Sequence, residues 1–188
     1  FDAQGNLDVK ALETFCSGVN CFVTTWYDQS GNANNATQST TANQPKIYDG
    51  TSGVVTENGK PAVQMSSNSI KLAVPSSKST FKFLHDGSNS STTWVVSPTD
   101  ARETSGTTDH ELFETGEFNG SVGVEITYRS SQFSGTENAQ FEVKNGSANA
   151  VDFRTSNGSF NVGQNLCTFF IDADNSTAAD RMKVGLNG

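Results

Sequence analysis

The sequence predicts an all-β fold, a sandwich or jelly roll of short antiparallel strands, and three observations carry that prediction. Ser, Thr, Asn and Gly fill 79 of the 188 positions, charged residues only 17%, and 13 Phe, 3 Tyr and 2 Trp are spread along the chain. Short β-branched and aromatic runs alternate with turns of Gly, Asn and Pro, which is how many-stranded β proteins read. Only one short stretch has helical spacing, so α/β barrels are excluded. The aromatic content supplies a core and argues against disorder. No run approaches the ~18 apolar residues of a membrane-spanning helix, and the opening FDAQGNLDVK lacks the basic and apolar regions of a signal peptide. A net charge of −8, a pI near 4.6 and no Lys/Arg cluster argue against nucleic acid and anionic membrane as partners.

The helix is expected at residues 8–15 (DVKALETF), where Val9, Leu12 and Phe15 are spaced by three and Asn6 or Asp8 is available as a cap. From Cys21 the signals are strand and turn. CFVTTWYD is followed by a long polar loop, QSGNANNATQSTTANQP, then by KIYDG and GVVTENG, each ending in turn residues. Further strands are expected at PAVQM, IKLAV, FKFLH, TTWVVSP, HELFETG, VGVEITY, AQFEVKNG, AVDFRTSNG, SFNVG, LCTFFIDA and RMKVGL. In Gln140-Phe141-Glu142-Val143-Lys144 the alternation is clear, with Phe141 and Val143 on one face and the polar residues on the other. No repeat of fixed period and no linker divides the chain, so residues 1–188 are expected to form one domain. The first residue is Phe, and the last two, Asn187-Gly188, are the dipeptide favoured in a type I′ hairpin turn. The sandwich is therefore expected to be continued by a strand beyond residue 188 or by a partner chain.

Cys16 and Cys21 stand five apart in FCSGVNC, and Cys167 lies alone in the apolar strand LCTFF. The spacing by itself leaves open a small disulfide or a pair of reduced thiols. His85 and His110 have no zinc-finger spacing, and Cys167 reads as an inert buried thiol. Six Asn-x-Ser/Thr sequons, at Asn35, Asn89, Asn119, Asn145, Asn157 and Asn175, mark surface turns, and chance accounts for most of them.

Residues 15–38, FCSGVNCFVTTWYDQSGNANNATQ, resemble the catalytic domain of the B-type α-L-arabinofuranosidases, glycoside hydrolases with a concanavalin-like β-sandwich. Cys16, Cys21, Tyr27, Asp28, Gln29, Ser30, Gly31, Asn34, Thr37 and Gln38 match that family's Cys-x4-Cys loop and Tyr-Asp-Gln-Ser-Gly turn in order and spacing. The resemblance implies a Cys16–Cys21 disulfide. The same block, with Gln44–Ile47 and Val54–Val63, also looks like laminin-G-like or lectin-like domains of viral tail and surface proteins and secreted bacterial proteins, to about residue 75. The motif itself reads as structural: Asp28 accepts backbone N–H bonds, Gly31 takes a positive φ, and Trp26 and Tyr27 face opposite sides, one toward the core.

Retaining glycosidases require two carboxyl groups about 5–5.5 Å apart. In the resembled family a nucleophilic Glu sits in a Leu-Glu-Asn-Gly type turn; the counterpart here, Val143-Lys144-Asn145-Gly146, has Lys144 in its place. The family's Gly-rich segment with the acid/base Asp would fall beyond Gly188, and Leu112-Phe113 stands nearest to its vicinal Cys-Cys pair. Glu111, Glu114, Glu117 and Glu125 form another acidic group on two strands expected to be adjacent. Alternation predicts Leu112 and Glu114 on one face, Glu111 and Phe113 on the other, with all these acids lining a solvated surface. Asp172, Asp174 and Asn175 offer three oxygen ligands, so a Ca2+ in that turn is the one cofactor considered, against a simple polar turn.

The leading reading is a non-catalytic module, extracellular or on a virion surface, that binds glycan or serves adhesion or assembly. Trp26, Tyr27, Asp28, Gln29, Glu114, Glu125 and Tyr128 are the candidate ligand-binding residues, with Trp94 a further aromatic and both tryptophans expected to be buried. Its partners would be a glycan or host-surface receptor, neighbouring copies, or a longer parent chain. An arabinofuranosidase-like hydrolase and a purely structural subunit of a tail, fibre or filament are the alternatives.

Overall fold

The computed structural model describes residues 2–67, 69–75, 80–81, 90–96, 110–115, 122–128, 137–145, 151–156, 165–172 and 175–187. It is an all-β structure with one short helix, and the chain divides into two compact units, residues 1–76 and 77–188.

In the first unit, helix α1 (Val9–Phe15) forms where the three-residue spacing places it. Asp8 caps it, Oδ1 accepting from the Ala11 N–H at 2.9 Å, and so satisfies one of the donors that a helix start leaves without an internal partner. None of its residues is buried, and Phe15 is 83% exposed. Seven strands follow, none longer than four residues: β1 (Cys21–Phe22), β2 (Thr25–Trp26), β3 (Ala36–Thr37), β4 (Lys46–Asp49), β5 (Gly53–Val54), β6 (Thr56–Glu57) and β7 (Lys60–Pro61). They make an antiparallel sheet β1-β4-β5 and two ribbons, β2-β3 and β6-β7.

The stretch CFVTTWYD is thus two strands in different sheets, and the polar loop after it contains a strand, β3, that composition had hidden. PAVQM and IKLAV contribute only β7 and isolated bridges from Gln64 to Lys46 and from Ala73 to Thr37. β6 and β7 are joined through Asn58-Gly59, both at positive φ (48° and 72°), as a type I′ turn requires. The buried residues described in this unit are Cys16, Gln44 and Pro45.

The second unit has longer strands: β8 (Ser90–Val96), β9 (His110–Thr115), β10 (Val122–Tyr128), β11 (Glu137–Asn145), β12 (Val151–Ser156), β13 (Asn165–Ile171) and β14 (Met182–Leu186). β12-β11-β10-β9 form a four-stranded antiparallel meander and β14-β13-β8 a three-stranded antiparallel sheet. One core cluster joins the two sheets: Val124, Ile126, Phe141 and Val143 from the first, Cys167, Phe169, Ile171 and Met182 from the second. The Phe141 and Phe169 ring centroids lie 5.1 Å apart, tilted by 43°. β13 alternates strictly between buried and exposed from Asn165 to Ile171, the period-2 signature of a strand with one face in the core. At the end of β14, Asn187 takes φ 58° and folds back on β13: its N–H donates to the Leu166 carbonyl, and its Oδ1 accepts from the Leu166 N–H, both at 2.9 Å.

The strands expected at FKFLH (residues 81–85) and SFNVG (residues 159–163) lie outside the described residues except for Phe81, which is half-buried against the core cluster.

Candidate functional site

Four features gather the candidate residues: two in the motif block, one on the acidic strands and one at the Asp172 turn. The first is the Cys16–Cys21 loop. The structure bonds Cys16 to Cys21, with Cα atoms 5.9 Å apart. Cys16 is fully buried, and its N–H donates to the Leu12 carbonyl at 2.9 Å, so the bond ties the end of α1 to the start of β1. From the turn after β4, the Gly50 N–H donates to Asn20 Oδ1 at 2.9 Å, fixing the loop on the sheet.

The second is the turn after β2. Asp28 Oδ1 accepts from the Ser30 N–H at 2.7 Å, and Oδ2 accepts from the Ser30 hydroxyl at 2.8 Å and the Asn34 N–H at 3.0 Å. The Asp28 N–H donates to Asn35 Oδ1 at 2.9 Å. Gly31 (φ 84°) and Ala33 (φ 59°) give the chain the left-handed steps that close the loop. The Ser30 hydroxyl and N–H hold the Asp28 carboxyl below its ordinary range, so it is ionised at neutral pH and fully engaged in the loop. Gln29 donates through Nε2 to the Tyr27 carbonyl at 2.9 Å. Asp28 is therefore a structural acid, and the sequon residue Asn35 is part of the same construction.

Trp26 and Tyr27 at the head of this turn are both exposed, at 54% and 66%. This corrects two expectations: neither ring enters the core, and Trp26 is not buried. The reason is the size of the ribbon. β2 pairs with the equally short β3, with Trp26 opposite Ala36, and among the described residues no second layer covers the outward face of this two-stranded ribbon. Neither the Trp26 indole N–H nor the Tyr27 hydroxyl has a hydrogen-bond partner among the described residues.

The third feature is acidic. In the four-stranded sheet Glu114 of β9 stands opposite Glu125 of β10, Glu125 opposite Glu142 of β11, and Glu142 opposite Asp152 of β12. Four acidic positions thus form one row across the sheet, on the face away from Val124, Ile126, Phe141 and Val143. Glu114 is exposed, Glu125 and Glu142 are half-buried, and Gln140 donates through Nε2 to Glu142 Oε2 at 3.2 Å. The expected alternation in β9 fails at a bulge: Phe113 pairs with Ile126 but Glu111 with Thr127, leaving Leu112 as the extra residue. Leu112 and Phe113 consequently both pack against the core, and the Glu111 and Glu114 positions are in register with residues of one face. The row's extension to Glu142 and Asp152 was missed from sequence, although the alternation around Phe141 already set Glu142 outward.

The fourth is the Asp172 turn. Asn175 donates through Nδ2 to Asp172 Oδ2 at 3.1 Å and accepts at Oδ1 from the Thr177 N–H at 2.9 Å. Arg181 Nε donates to the Asn175 carbonyl at 2.7 Å. The turn is closed by its own side chains, and no group of three potential metal ligands occurs among the described residues. Asp174, Glu117, Gly146 and the sequons at Asn89, Asn119 and Asn157 lie outside the described residues, as do the side chains of Trp94, Tyr128, Lys144 and Asn145. Tyr128 itself ends β10, paired with His110 and Ala139. Cys167 is buried, and burial pushes its thiol up to about 11, which keeps it protonated.

No curated protein and no solved structure matches the chain. Residues 1–93 match the family model of the alpha-L-arabinofuranosidase B catalytic domain, a glycoside hydrolase family; the matched stretch covers just under half of the chain, including the disulfide loop and the Asp28 turn.

Proposed function

We propose that this chain is a carbohydrate-binding β module, with its sugar site on the outward side of the β2-β3 ribbon and no bond cleavage of its own. The observation that carries the reading is the exposed Trp26 ring, with an unpaired indole N–H, held beside a rigid polar turn inside the stretch that matches a sugar-acting family. An indole face stacks on the apolar face of a sugar ring, while neighbouring amides and hydroxyls serve its hydroxyl groups. The absence of cleavage is supported by Lys144, which stands where the resembled family has its nucleophilic Glu. A disulfide in so small a loop suits an oxidising, extracellular setting.

The test is a neutral-glycan array probed with the full chain, with hits quantified by calorimetry. Trp26→Ala is expected to lower affinity at least about tenfold, the scale of a central aromatic anchor. Binding to no neutral glycan would overturn the reading.

One observation favours a second reading, a retaining glycosidase. Glu114 and Glu125 are cross-strand partners, whose Cβ atoms lie about 4.5–5.5 Å apart, which lets their side chains reach the carboxyl separation of about 5–5.5 Å that retaining enzymes use. Release of sugar from a chromogenic arabinofuranoside, abolished in both Glu114→Gln and Glu125→Gln, would establish this reading in place of the first.

A further inference from the structure

Exposure alternates without a slip from Cys21 to Trp26. Cys21, Val23 and Thr25 are half-buried, whereas Phe22 (39%), Thr24 and Trp26 (54%) are exposed. The inward residues are fixed by pairing: the Val23 N–H donates to the Pro45 carbonyl at 2.8 Å, and Thr25 pairs with Thr37. Although β1 and β2 belong to different sheets and the chain bends at Thr24 between them, Phe22, Thr24 and Trp26 are successive outward side chains, ring–hydroxyl–ring. The register places Lys46 beside Phe22, with Gln64 beyond Lys46, and Ala36 beside Trp26. Lys46 is neutralised by Asp49 at 3.0 Å, so the strip carries no net charge. Tyr27, the next residue, lies past the end of β2 and is also exposed, so the alternation stops at Trp26.

We infer that Phe22, Thr24 and Trp26 together form a linear subsite for an uncharged oligosaccharide chain, rather than a pocket for a single sugar; this rests on the carbohydrate-binding reading above. Four residues separate the two ring-bearing Cα atoms, by up to ~11 Å with the bend at Thr24 between them. One sugar ring does not reach both platforms, whereas a chain of several sugars lies along them and passes its hydroxyl groups over Thr24. The two rings are already about half covered, at 39% and 54% exposed, so part of their side-chain freedom is spent before the ligand arrives. The neutral surroundings give an acidic saccharide no cationic partner.

The experiment titrates the full chain, by calorimetry, with mono-, di- and tetrasaccharides of α-1,5-arabinose, β-1,4-xylose and β-1,4-glucose. In one series the tetrasaccharide is expected to bind at least about tenfold more tightly than the monosaccharide, because only it reaches both rings. Phe22→Ala and Trp26→Ala should each remove most of that gain. Phe15→Ala, at an exposed ring on the helix, should leave it, and Phe22→Tyr and Trp26→Phe should largely restore it. Far-UV circular dichroism and the intact disulfide mass verify that each variant is folded. Equal affinity at every chain length, or loss with Trp26→Ala but not with Phe22→Ala, would overturn the linear subsite while leaving carbohydrate binding in place. No binding in any series together with no hit on the neutral-glycan array would remove both.

Discussion

Asp28 and Asp49 show how single carboxylates organise a unit with little buried apolar surface. The Lys46 ammonium, with the Thr51 and Ser52 N–H groups, holds the Asp49 carboxyl down to about 2 from the ordinary 3.8. A depressed acid contributes its stabilisation in full above the ordinary value and loses it as pH falls through the folded one. The Thr51 and Ser52 amide resonances are therefore expected to hold steady down to about pH 3 and to move with a midpoint near 2; a midpoint at the ordinary 3.8 would contradict the Lys46 pairing. The Asp28 turn should loosen on the same acid side, since its carboxyl is also held low. Gly123 is the other decisive residue. At φ 154° a Cβ there would run into the Thr115 carbonyl oxygen, beside the Thr115 hydroxyl that accepts from the Val124 N–H at 3.0 Å. Gly123→Ala is expected to cost about 1–3 kcal/mol in urea unfolding, the scale of forced backbone strain. Gly185→Ala should be near neutral, because its Cβ would meet nothing closer than 3.9 Å.

At the scale of elements, the two sheets of the second unit depend on the Phe141–Phe169 contact across their interface. Truncation of either ring to Ala is expected to cost about 3–5 kcal/mol and to lower the thermal midpoint accordingly, read by circular dichroism. The acidic row opposes this packing. Like charges directly opposite one another across a sheet are destabilising, and Glu114, Glu125 and Glu142 keep that arrangement. Glu125→Gln should therefore raise the urea midpoint slightly, by about 0.2–1 kcal/mol, unless Glu125 serves the hydrolase reading, in which case activity falls with it. In the first unit the disulfide closes only a five-residue separation, so its stabilisation should fall below the ~3 kcal/mol of a 15-residue loop. Alkylation of the denatured chain should add one group without reductant, at Cys167, and three with it.

For the molecule as a whole, the two units differ in what stabilises them. The second buries a contiguous apolar cluster, whereas the first relies on a disulfide, capped turns and short ribbons, the resource of small domains with modest cores. The net charge of −8 bears on partners: no polyanion is expected to bind, and glycan affinity at the neutral Phe22–Trp26 strip should change little between low and high salt. A steep salt dependence would point to a charged ligand instead.

The all-β class, the α1 helix with Asp8 as one of two possible caps, the Asp28 turn and the alternation of β11 around Phe141 were legible in the sequence, because each rests on residues close together along the chain. Strand β3 was not, since its pairing with β2 is set by the loop between them and its composition is that of a turn. The exposure of Trp26 was misread for a related reason: an aromatic in a β-branched run is buried only if a second layer exists to cover it, which local pattern does not reveal. Tertiary structure alone decided the register that sets Glu114, Glu125, Glu142 and Asp152 in one row and the bulge at Leu112 that turns two neighbours onto the core. The sequence specified which residues face outward along a strand; only the pairing of strands distant in sequence decided which outward residues stand side by side.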